Sequence, residues 1–195
     1  MKSSVLIVSA VAGCALCASA QEFSLSLVPS ATAPGLGGSF TMSVYGDADQ
    51  GTHLLGGAFS LISNSECIAG MSWTPADWSS FNTDGGYAGS GNYNQVVFGQ
   101  LVIPPIFPPA PGSELGGLIG TYTIQLGQLG TGVIDFQLVA GTPFTLESID
   151  NTTGETFQST SGTIALGSAR ITCFPTPGGC SAFAAAGLIA VRRRR

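Results

Sequence analysis

Lysine is absent between residues 21 and 174, and the same stretch holds one arginine, Arg170, and one histidine, His53. Eleven carboxylates, from Glu22 to Glu155, face that single arginine, so the stretch carries -10 where the whole chain carries only -5. The masked positive charge sits at the ends, in Lys2 and in the run Arg192, Arg193, Arg194, Arg195. A surface of that sign repels phosphate backbones and offers no basic stripe, which excludes DNA and RNA as partners. One histidine and no lysine also leave little for acid–base or nucleophilic chemistry, and neither an HExxH nor a G-x-S-x-G motif is present. Paired carboxylates are the remaining hydrolytic option, but no spacing nominates a pair, so an enzyme is not expected. No run of about 18 apolar residues is available to span a bilayer, although the mean hydropathy is positive.

What is present begins with two end segments that read as address labels. Lys2 precedes an apolar stretch from Val5 to Leu16, and Ala18-Ser19-Ala20 stands before Gln21. That order of charge, apolar run and small residues is the pattern of a secretory signal, with cleavage expected between Ala20 and Gln21 by signal peptidase. Val11-Ala12-Gly13-Cys14 also resembles a bacterial lipobox, which leaves lipidation of Cys14 as an alternative.

The other end reads Pro175-Thr176-Pro177-Gly178-Gly179, then small and apolar residues from Cys180 to Val191, then the four arginines. This arrangement resembles the PEP-CTERM type of C-terminal sorting signal, with Thr176 standing where the name-giving pattern has glutamate; divergent motifs of this kind resemble those of planctomycete-type proteins. The resemblance implies a short hydrophobic helix as a transient membrane anchor, an arginine cluster held on the cytoplasmic side, and processing by an exosortase-like membrane enzyme. Cleavage or retention of the tag are both open.

Between the labels, residues 21–174 form a body of 154 residues, a common size for one domain and large enough to bury about two thirds of its unfolded surface. Short segments rich in β-branched and aromatic residues are divided by Gly, Asn, Asp and Pro, which is an all-β signature. Nine strands are expected, over residues 22–28, 39–45, 54–62, 67–73, 95–102, 118–126, 132–140, 144–149 and 162–172. Alternation is visible in Phe40, Met42 and Val44 against Thr41, Ser43 and Tyr45, and in Val133 to Leu138. Only residues 74–80 suggest a helical turn. The expected architecture is a two-sheet sandwich or jelly roll, flanked by a signal helix and a short C-terminal hydrophobic helix. Laid in order, Gly37 to Tyr45, Leu55 to Leu61 and Gly116 to Leu126 resemble the strand pattern of cohesin-like domains, nine-stranded sandwiches akin to carbohydrate-binding modules. That resemblance implies a fold rather than a function.

Three constellations are candidates for chemistry. Asp47-Ala48-Asp49-Gln50-Gly51 offers two carboxylates on a flexible turn, the raw material of a calcium site, but without a third or bidentate ligand. Trp73, Trp78, Phe81, Tyr87 and Tyr93 crowd a Gly-, Ser- and Asn-rich region, where Trp73, Trp78 and Tyr87 either stack against sugar rings or fill a core. Cys67 and Cys173 lie inside the body, 106 residues apart, and an oxidising compartment permits them to pair; Cys180 is an alternative partner before processing. The expected function is an exported cell-surface or extracellular-matrix protein, adhesive or structural, with binding of polysaccharide as the alternative and surface proteins as further partners.

Overall fold

The computed structural model describes residues 21–63, 65–128, 130 and 132–175. The signal peptide, the Cys14 alternative and the sorting tag beyond Pro175 lie outside the described residues, as do both expected flanking helices. Among the described residues no helix is long and apolar enough to cross a membrane.

Thirteen strands are described: β1 (Gln21–Pro29), β2 (Ser39–Ala48), β3 (His53–Ser63), β4 (Ile68–Pro75), β5 (Thr83–Asp84), β6 (Tyr87–Gly89), β7 (Asn92–Gly99), β8 (Leu118–Leu126), β9 (Gly132–Ala140), β10 (Glu147–Ile149), β11 (Thr156–Gln158), β12 (Gly162–Leu166) and β13 (Ser168–Cys173). They form two sheets. One runs β12-β1-β2-β8-β4; the other runs β11-β10-β3-β7-β5, with β9 also on β3, β13 on β9 and β6 on β7. All pairings are antiparallel except β1 with β12. The alternation that marks β2 in the sequence is its burial pattern: Phe40, Met42 and Val44 point into the core while Thr41, Ser43 and Tyr45 are half-exposed. The same holds for Ile134, Phe136 and Leu138 in β9.

The two inner faces meet on a string of aromatic rings. Trp73 on β4 and Tyr122 on β8 lie 4.6 Å apart between centroids, Tyr122 meets Tyr93 of β7 at 5.1 Å, and Phe59 of β3 meets Trp73 edge-on at 5.6 Å. Such tilted and edge-on pairs add roughly 0.5–1.5 kcal/mol each beyond their area burial. They tie one sheet to the other across the middle of the sandwich.

The sequence places a single strand over residues 162–172, and the structure divides it at Gly167. Its N–H donates to the Leu25 carbonyl in one sheet, while its carbonyl accepts from Leu138 N–H in the other. The chain thus passes from β12 to β13 and from sheet to sheet through one residue. A Cβ there would stand 2.8–2.9 Å from the backbone of Leu25 and Leu27, so the crossing needs glycine.

The expected strand over residues 144–149 is a correction, since only Glu147–Ile149 pairs as a strand. Upstream, the Phe144 and Thr145 carbonyls both accept from Ala58 N–H, and the amides of Thr145 and Leu146 both donate to the buried Ser159 hydroxyl. A side chain has taken the place of a ladder partner. Residues 74–80 are likewise no helix: β4 continues to Pro75, and a turn closed by Ser79 N–H on the Ala76 carbonyl follows.

Candidate functional site

Of the aromatic residues that the sequence groups together, the structure gathers Trp73, Trp78 and Tyr93 in one core, packs Tyr87 against it and leaves Phe81 exposed. Trp73 and Trp78 are 7% and 4% exposed, and the Trp78 indole N–H donates to the Leu118 carbonyl at 2.6 Å. Neither has a ring face free for a sugar, which corrects the glycan-stacking expectation for both. Their apolar bulk is worth more in the core between the sheets than on a loop. Tyr87 is half-buried, with its hydroxyl donating to the Ile68 carbonyl at 2.8 Å and accepting from Gly91 N–H at 3.2 Å. Tyr93 is buried and donates to Asp84 at 3.0 Å; burial first, and then the Asp84 carboxylate, push its hydroxyl up to about 12.

Each of the two aspartates of the calcium candidate accepts one backbone amide. Asp47 accepts from Ala48 N–H at 3.0 Å and Asp49 from Glu22 N–H at 2.9 Å, at the end of β2 beside β1. Among the described residues no group of three or more His, Cys, Asp or Glu side chains is gathered to hold a metal. Glu22, on β1, lines the same surface hollow as Asp47 and Asp49. His53 opens β3 with its Nδ1 in a 2.9 Å hydrogen bond with the Thr52 hydroxyl.

Cys67 and Cys173 are free thiols in the structure. Burial pushes the Cys173 thiol up, and the charge of Cys67 adds to that shift.

One apolar surface feature is announced by no motif in the sequence. β3 and β7 pair Gly56 with Gly99 and Ala58 with Val97, while the alternate pair Phe59 and Val96 faces the core. Two glycines, an alanine and a valine leave the outer face of the sheet low at this point. The segment around Phe81 and Leu101 rises on one side and Pro143 and Phe144 on the other, enclosing an apolar groove of about 350 Å³ with Glu147 as the one charged residue in its lining. The Glu147 carboxylate accepts from the Gln158 amide at 2.8 Å.

Beside the groove the chain continues from β7 into an apolar finger. Ile103 and Phe107 exchange both backbone hydrogen bonds at 2.8 Å, closing a small hairpin around Pro104, Pro105 and Ile106. Its base is held by the buried Gln100, whose amide donates to the Leu54 carbonyl at 2.7 Å and accepts from Ala110 N–H at 2.8 Å. A buried amide that closes both sides of a loop base fixes where the finger emerges. Leu101, Ile103, Ile106, Phe107 and the groove-rim Phe81 are 45–72% exposed, with Ile106 the most open. The signal was available in Leu55-Gly56-Gly57-Ala58, in Gly99, and in the apolar residues set among the prolines of residues 103–109. Only the pairing register brings the first two together.

Comparison with known proteins places the fold. No protein-family model matches the sequence, and no curated protein matches it. Among solved structures, the seventh ScaB type I cohesin from Pseudobacteroides cellulosolvens is similar with a TM-score of 0.52 at 14% identity, over 80% of this chain and 94% of that one. The second type II cohesin module of the ScaA adaptor scaffoldin from Acetivibrio cellulolyticus is similar with a TM-score of 0.51 at 10% identity, over 80% and 98%. A cohesin from Clostridium thermocellum, solved in a cohesin–dockerin complex, gives 0.51 at 8% identity, over 77% and 99%. At these identities the likeness is one of fold, and the body is a cohesin-like β-sandwich.

Proposed function

We propose that this chain is an exported, surface-displayed β-sandwich that works without catalysis, by holding another protein against the groove between Phe81 and Leu101 on one side and Pro143 and Phe144 on the other. The groove is the observation that carries the reading. It is apolar, it lies on a sheet held rigidly by the aromatic string behind it, and its floor is built from small side chains that leave room for a partner. Contact surfaces of this kind draw most of their affinity from a few large side chains seated in a desolvated pocket. That one structural neighbour is solved with a dockerin partner is in keeping with a protein ligand rather than a small molecule. An adhesive or matrix role follows from the two end segments: a signal removed after Ala20, and a sorting tag from Pro175 to Arg195 that hands the body to the outside of the cell.

The test is a photo-crosslinking amino acid placed at Val97, in the groove floor, and irradiated on intact cells. The expected product is an adduct with a protein. An adduct with polysaccharide alone would replace the reading with its rival, and a groove that cross-links to nothing would remove it.

A further inference from the structure

We infer that the partner of the groove is a second copy of this chain, whose Ile103–Phe107 finger enters it. The inference rests on reading the groove as a protein-contact surface and names its occupant. Finger and groove adjoin on one stretch of chain: Leu101 lines the groove, and two residues later Ile103 begins the finger. A two-fold contact needs donor and acceptor in the same patch so that each copy gives what it receives, and this patch contains both.

Size and area agree with such a contact. The groove, at about 350 Å³, lies at the small end of the roughly 300–1,000 Å³ found for ligand pockets, which suits one or two large side chains better than a whole helix or strand. Aromatic side chains carry roughly 150–250 Å² each and large aliphatic ones somewhat less, so five that are about half exposed present on the order of 400–500 Å². A standard interface buries about 800 Å² per partner, a little over half of it apolar, or roughly 450 Å². The apolar area on display is therefore what one side of a stable dimer requires.

Charge selects between occupants. Each body carries -10, and Glu147 is the one charged residue lining the groove. Two copies repel at long range and attract only through this patch, so their association strengthens as salt screens the repulsion. A basic partner drawn by the acidic surface would show the opposite dependence.

Sedimentation velocity on the purified protein tests this, in roughly 0.02 M and 0.5 M salt, where the Debye length falls from over 20 Å to a few Å. The expected result is a concentration-dependent dimer favoured at the higher salt. Ile106→Asp and Phe107→Asp, at exposed positions with no core role, should each weaken it about tenfold or more while leaving the thermal melt unchanged. Mixing Phe107→Asp with Val97→Glu should restore part of the association, because one finger and one groove remain intact. A protein monomeric at every concentration and both salts, or a dimer indifferent to both finger substitutions, overturns the inference. If the Val97 crosslinker captures a different protein on cells while the purified chain stays monomeric, self-pairing falls and the protein-contact reading stands. If it captures nothing, both fall.

Discussion

Replacing Trp78 with alanine removes an indole that packs edge-on against Phe98 at 6.0 Å and donates to the Leu118 carbonyl at 2.6 Å. Truncating a buried aromatic of this size costs about 3–5 kcal/mol, part of it from the cavity left behind. The orphaned carbonyl accounts for about 1–3 kcal/mol where water cannot reach it. Trp78→Phe isolates that second component, because it keeps most of the ring area and loses the donor. In a domain of this size each kcal/mol lowers the melting temperature by about 2–4 °C, so the alanine variant should melt roughly 10 °C lower and the phenylalanine variant about 5 °C lower. Urea unfolding followed by the fluorescence of the remaining Trp73 and by far-UV circular dichroism measures both. In the wild type, acrylamide should quench neither tryptophan efficiently. An alanine variant within about 1 kcal/mol of wild type, together with free quenching, would place Trp78 at the surface and refute the core assignment.

Stability should also fall at high pH. The folded protein holds the Tyr93 proton up to about 12 against an ordinary value near 10, so its contribution is whole below about pH 10 and is lost as pH rises through about 12, and burial pushes Tyr122 further the same way. Absorbance at the tyrosinate band should show Tyr93 and Tyr122 ionising only with unfolding; four tyrosines titrating together near pH 10 in the folded state would contradict this. Air oxidation should join Cys67 to Cys173, adding about 4–5 kcal/mol by the chain-entropy model; the intact mass should drop by the two hydrogens lost and reductant should lower the melt, while two alkylatable thiols after oxidation would count against it. Mass spectrometry of the protein recovered from the cell surface should lack residues 1–20 and the arginine run 192–195, and retention of both would refute the export reading.

Periodicity made most of the fold legible. Strands such as β2 and β9 bury one face each, so their burial is written as alternation, and seven of the nine expected strands recur, two with the same ends and five with ends moved by a few residues. The two that changed did so for reasons outside any local window. Gly167 divides the last strand because it must touch Leu25 and Leu138 in different sheets, and Thr145 and Leu146 leave the ladder because Ser159, more than a dozen residues later, satisfies their amides. The short strands β5, β6 and β11 have too few residues to show a period.

The candidate site was less legible, for a related reason. Trp73 closes the expected strand over residues 67–73 and Trp78 stands in a loop-like composition, and only the facing rings of Phe59, Tyr122 and Phe98 show both to be core. The groove is made by what is missing at Gly56 and Gly99, more than forty positions apart and matched by register alone. Absent side chains on different strands leave no motif.

The central claim, that the groove and its finger form the working contact surface, is tested most directly by hydroxyl-radical footprinting of the same side chains in two settings. Labelling of Phe81, Leu101, Ile106 and Phe107 on the displayed protein should fall well below that of the dilute purified protein, while exposed Val28 and Val133, away from the groove, label equally in both. Equal labelling of all six residues would contradict the account.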